Sequence, residues 1–91
     1  MTSLEFETEE MRPISAFCDN QFVTVALADG RQIRAPLWWY PYLAEATPEQ
    51  RSTIELEFSG VWWPEIDEGI SVKALLLGWK APGAKAPEKA A

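Results

Sequence analysis

The chain of 91 residues contains no histidine and a single cysteine, Cys18. Without imidazole or a second thiol, the usual zinc sites, histidine general bases and activated nucleophile pairs cannot be assembled. An internal disulfide is excluded, and a lone cysteine fits a reducing compartment. No apolar run approaches the ~18 residues that a membrane-spanning helix requires, and the acidic N-terminus lacks the basic, apolar pattern of a signal peptide. These absences point to a cytoplasmic protein with no membrane association and no metal or other cofactor. Bases are scarce too: residues 1–79 hold thirteen Asp and Glu against five Lys and Arg, a net of −8. A body this acidic repels phosphate backbones, which argues against direct nucleic-acid binding and favours a basic protein partner.

What the chain does have is apolar and aromatic. Hydrophobic residues make up 47% of it and five are tryptophan, enough to offset the ordering entropy of one small domain. Residues 1–12 carry four glutamates and read as an acidic arm, residues 13–79 as a single α+β domain, and residues 80–91 as a flexible Lys/Ala/Pro tail.

Residues 14–18, 22–27 and 32–35 are rich in β-branched and aromatic side chains and read as a three-stranded antiparallel meander. An Asp19-Asn20 turn pairs Ala16 with Val23 and Ile14 with Val25. For the second hairpin, a three-residue loop over 28–30 with a left-handed Gly30 keeps apolar residues opposite one another, Val25 with Ile33 and Val23 with Ala35. The buried face is then Ile14, Ala16, Val23, Val25, Leu27, Ile33 and Ala35, and the outer face includes Phe17 and Phe22.

The stretch PLWWYPYLAEATPEQR, residues 36–51, follows. Pro41 is tolerated only in a first helical turn, so a short helix starts near Tyr40 and buries Leu43. Thr47, Pro48 and Gln50 make a capping box for a second short helix. Ile54, Leu56 and Phe58 alternate with Glu55 and Glu57 as a half-buried strand, closed by a Ser59-Gly60 turn into a β-hairpin that places Leu56 opposite Trp63. After an acidic loop over 65–69, Ser71 caps a short C-terminal helix that Gly78 ends, docked through Leu75 and Leu76.

The run DGRQIRAPLWWYPYLAEATPEQR, followed by VWWPEIDEGISVKALLLG, resembles the bacterial domain-of-unknown-function family 2442 over roughly residues 14–78. The resemblance implies a small antiparallel α+β domain. It also implies occurrence in bacteria and prophages and, for some members, an antitoxin role beside a toxin partner; it carries over no catalytic residues. Two positions depart from the family pattern: Trp62 stands where many members have His, and Gly69 where many have a second acid.

Glu65, Asp67 and Glu68 lack the spacing of an EF-hand loop and read as a solvated turn. Cys18 reads as a small apolar filler. So small a core cannot absorb every aromatic, which leaves Trp38, Tyr42, Trp62, Phe17 and Phe22 as candidate interaction anchors, with Glu55, Glu57, Glu65, Asp67 and Glu68 as candidate charged contacts. The expected function is a non-enzymatic acidic protein–protein interaction module, an antitoxin-like inhibitor of a basic partner. The alternative is a phage-type inhibitor whose carboxylates imitate nucleic-acid charge. An open antiparallel sheet also allows a homodimer.

Overall fold

In the computed structural model, which describes residues 8–87, two three-stranded antiparallel sheets meet at an edge. The first sheet contains β1 (Pro13–Cys18), β2 (Phe22–Leu27) and β3 (Gln32–Pro36); the second contains β4 (Glu55–Glu57), β5 (Gly60–Trp63) and β6 (Glu68–Ser71). Between the sheets the chain forms a 3-10 turn (Leu37–Trp39) and the short helices α1 (Pro41–Ala44) and α2 (Pro48–Ser52), and α3 (Val72–Leu77) follows β6. Edge strand β1 lies against edge strand β4, with no ladder between them. The α+β class therefore holds, and the second sheet gains a third strand.

Local chemistry explains several of these elements. Gly30 takes φ +99°, and Leu27 N–H donates to Arg31 O at 2.8 Å around a three-residue loop, so Val25 faces Ile33 and Val23 faces Ala35 as the apolar pattern requires. The capping box forms: Gln50 N–H donates to Thr47 Oγ1 at 3.1 Å and Thr47 N–H to Gln50 Oε1 at 2.9 Å. Ser71 Oγ accepts from Ala74 N–H at 3.0 Å, and a left-handed Gly78 ends α3.

Both predicted two-residue turns sit one residue away from where the dipeptides place them. The β1–β2 turn is Asn20-Gln21, since Asp19 stays outside it and accepts from Gln21 N–H and Phe22 N–H at 2.7 Å each. Cys18 consequently faces Val23 and Ala16 faces Val25. The β4–β5 turn is Phe58-Ser59, so Leu56 faces Val61 rather than Trp63. Gly60 serves close strand approach instead: a Cβ there would lie 2.5 Å from Ile70 O on β6.

The expected acidic loop shortens to residues 64–67, where Asp67 adopts φ 63°. Glu68 and Gly69 enter β6 because Ile70 pairs with Val61 and is buried. Ile14, expected in the core, is 49% exposed, since the register shifts between Pro13 and Ser15 and Pro13 takes the buried place beside Leu27. Leu56 and Phe58 are exposed as well: all three residues of the edge strand β4 are exposed, and Phe58 lies in the turn that follows it.

The core joins the inner faces of both sheets, with Val23, Val25, Leu27, Val61 and Trp63 sealed by Leu43, Val72 and Leu75. Trp63 is fully buried and donates its indole N–H to Arg51 O at 3.1 Å, while the Arg51 guanidinium donates to Leu43 O at 3.2 Å. These two bonds tie α1 and α2 to the second sheet.

Of the expected N-terminal arm, residues 1–7 lie outside the described residues. Residues 9–11 form a 3-10 turn held to the β2–β3 loop through Asp29 N–H to Glu10 O and Ala28 N–H to Arg12 O, both 2.9 Å. The chain after Trp79 also stays on the domain. Ala81 N–H donates to Trp39 O at 2.9 Å, and Lys80 Nζ lies 4.4 Å from the Trp39 ring centre. Residues 88–91 lie outside the described residues.

Candidate functional site

Exposed apolar side chains gather where the two sheet edges meet. The bulge at Ile14 turns its side chain outward, and the alternation of β4 and its turn presents Leu56 and Phe58 beside it. These three side chains, 44 to 49% exposed, line a shallow groove of about 300 Å³ together with Arg12, Pro13 and Glu57. Single exposed apolar residues are ordinary on a protein surface, whereas three converging in one concavity are the geometry of a contact site. The groove also lies along β1 and β4, two edge strands with no ladder between them among the described residues.

The acids sit around the second sheet. Glu55 and Glu57 are exposed on β4; Glu65 and Asp67 occupy the β5–β6 turn and Glu68 begins β6. Thr53 Oγ1 donates to Glu65 Oε2 at 3.4 Å, and no group of three His, Cys, Asp or Glu among the described residues could hold a metal ion.

The aromatic candidates do not form one patch. Phe17 is 56% exposed on the outer face of the first sheet. Phe22 lies on the same face under the Arg34 guanidinium, 3.8 Å from the ring centre. Trp38 packs edge-on against Trp39 and meets Phe22 across a second, apolar groove. Trp62 is half-buried because its ring lies over Gly69 on β6. Trp62 and Gly69 are thus cross-strand partners.

Tyr42 is half-buried, and its hydroxyl donates weakly to Gly69 O at 3.4 Å. Tyr40 and Tyr42 line a recess of about 450 Å³ with Glu68, Ser71 and Lys80. Burial raises the Tyr40 phenol to about 12. Burial, the Glu68 carboxylate and Tyr40 together raise Tyr42. Both phenols are therefore neutral donors at physiological pH rather than bases. Burial likewise pushes the Cys18 thiol up to about 11, against the pull of Arg51, which leaves it a packed apolar group and not a nucleophile.

Ile14, Leu56 and Phe58 are the residues that sequence reasoning missed, because alternation on an uncovered edge strand looks the same as alternation against a core. The signal available was the excess of large apolar side chains over what so small a core can hold.

The family model for proteins of unknown function, DUF2442, matches residues 13–81. No curated protein matches the chain. Among solved structures, a protein of unknown function from Rhodospirillum rubrum ATCC 11170 superimposes with a TM-score of 0.70 at 25% identity, covering 80% of this chain and 93% of that one.

Proposed function

The chain belongs to the DUF2442 family of proteins of unknown function, and from that premise we propose that it is a non-enzymatic interaction module that holds a basic protein partner. The observation that carries this reading is the groove of Ile14, Leu56 and Phe58 where the edge strands β1 and β4 meet, with Glu55 and Glu57 on β4. The partner contributes an extended, basic segment that lies along β4. Its apolar side chains fill the groove, and its Lys or Arg side chains face Glu55 and Glu57. The net charge of −8 on residues 1–79 steers that partner in. An antitoxin that masks a basic toxin surface is the biological role most consistent with this chemistry.

The test is paired capture from the native host, comparing the wild-type chain with Ile14→Asp/Leu56→Asp. The reading expects one basic protein in stoichiometric amount on the wild type, lost from the double variant and weakened as salt rises. Equal capture by both chains would refute the groove as the contact. Charge imitation of nucleic acid predicts the opposite pattern: loss on reversing Glu55, Glu57, Glu65 and Glu68, with the apolar substitutions silent.

A further inference from the structure

At the other end of the first sheet, the β1–β2 turn and the 3-10 turn enclose a second groove of about 510 Å³. Its walls are Phe22, Pro36, Leu37 and Trp38, with the exposed Ala44 of α1 at its rim. A backbone bond from Leu37 N–H to Gln21 O at 2.8 Å fixes the two walls against each other. The remaining contributor is Pro87, which comes from a different part of the chain. From Trp79 onward the chain is led to this place: Ala81 is bonded to Trp39 O, Ala84 N–H bonds back to Ala81 O at 3.2 Å, and Gly83 passes beside Pro41.

We propose that this groove is a binding site for an extended, proline-containing segment, and that the chain's own Pro87, which alone of residues 82–87 lines it, closes it from within the chain as an intramolecular plug. Two observations support the assignment. The walls are aromatic and prolyl, the surface on which a proline ring packs well, and proline's fixed φ lowers the entropy lost on docking. The segment reaches the groove through Pro87, while Pro82 lines the Tyr40 and Tyr42 recess, and Gly83, Ala84, Lys85 and Ala86 between them bring no bulky apolar side chain. The groove lies within the family domain and Pro87 outside the matched residues 13–81, so the plug is an addition to the domain.

A segment tethered six residues from its anchor at Ala81 has an effective concentration on the order of 1 mM at the groove. It therefore excludes any equivalent segment in trans until that segment reaches comparable concentration.

The experiment uses the full chain and a fluorescein-labelled peptide of residues 80–91, followed by anisotropy. Pro87→Asp removes the ring and adds a charge at an exposed position, releasing the plug without touching the core. The expected result is labelled-peptide binding at least about tenfold tighter to Pro87→Asp than to the wild-type chain. Adding Phe22→Ala to Pro87→Asp should abolish the gain; if that chain fails to fold, Ala44→Gln at the exposed rim replaces it. Equal affinity of wild type and Pro87→Asp, or full binding retained by the groove variant, would overturn the proposal.

Discussion

The Trp62 ring lies so close over Gly69 that a Cβ on Gly69 would sit 2.7 Å from Trp62 Cε3, and 3.0 Å from Val61 O. The two residues are direct cross-strand partners, so the glycine makes room for the indole. Gly69→Asp should therefore destabilise the chain by about 2 kcal/mol, because the ring must swing off the sheet. Combining it with Trp62→His should recover part of that loss, a coupling of about 1 kcal/mol in a double-mutant cycle of urea unfolding. Strict additivity would show that the two positions are independent.

Tyr40 is 2% exposed, and its hydroxyl has no hydrogen-bond partner among the described residues. Such a group carries a desolvation cost that nothing offsets. Tyr40→Phe should raise stability by about 1 kcal/mol, measured as a higher urea midpoint at unchanged slope. A loss of stability would mean that the hydroxyl is satisfied.

Cys18 is raised from 9.0 to about 11 by burial, so folding favours the neutral thiol. The sign follows: its contribution to stability is fully present below pH 9.0 and is lost as pH rises from there through about 11. At pH 8 the thiolate fraction falls about a hundredfold, so a disulfide reagent should modify the folded chain about that much more slowly than the unfolded chain.

Asp19 is lowered, first by the Gln21 N–H and then by the Phe22 N–H that its side chain accepts. A depressed carboxyl stabilises the fold above its ordinary value of 3.8, and that support is lost as pH falls through the folded value. Asp19→Ala should lower the melting temperature at pH 7, and the gap to wild type should shrink as pH drops below 3.8.

Much of this fold is legible wherever a residue type has one physical use. A left-handed Gly30 in a three-residue loop, the Thr47 capping box and the Ser71–Gly78 bounds of α3 follow from local chemistry and hold. The two other turns slip by one residue because shifting a turn by one moves the pairing by two, which leaves every side chain on its own face. Periodicity cannot see that shift. It also cannot see β6, whose Glu68 and Gly69 have no strand propensity and are drafted by Trp62 and Trp63 across the ladder. The edge groove was hidden for a related reason: Ile14, Leu56 and Phe58 were expected in the core, and a bulge and an uncovered edge turn them out. Phe22 and Trp38 were legible as aromatics with too little core to share, but their meeting across one groove depends on the Leu37–Gln21 bond, a tertiary fact.

The most direct test is stopped-flow association of the purified partner with three chains: wild type, Glu55→Lys/Glu57→Lys and Ile14→Asp/Leu56→Asp. Charge reversal should slow association and flatten its salt dependence, while the apolar pair should accelerate dissociation by roughly tenfold or more at a nearly unchanged on-rate. Dissociation from Ile14→Asp/Leu56→Asp at the wild-type rate would contradict the groove as the contact.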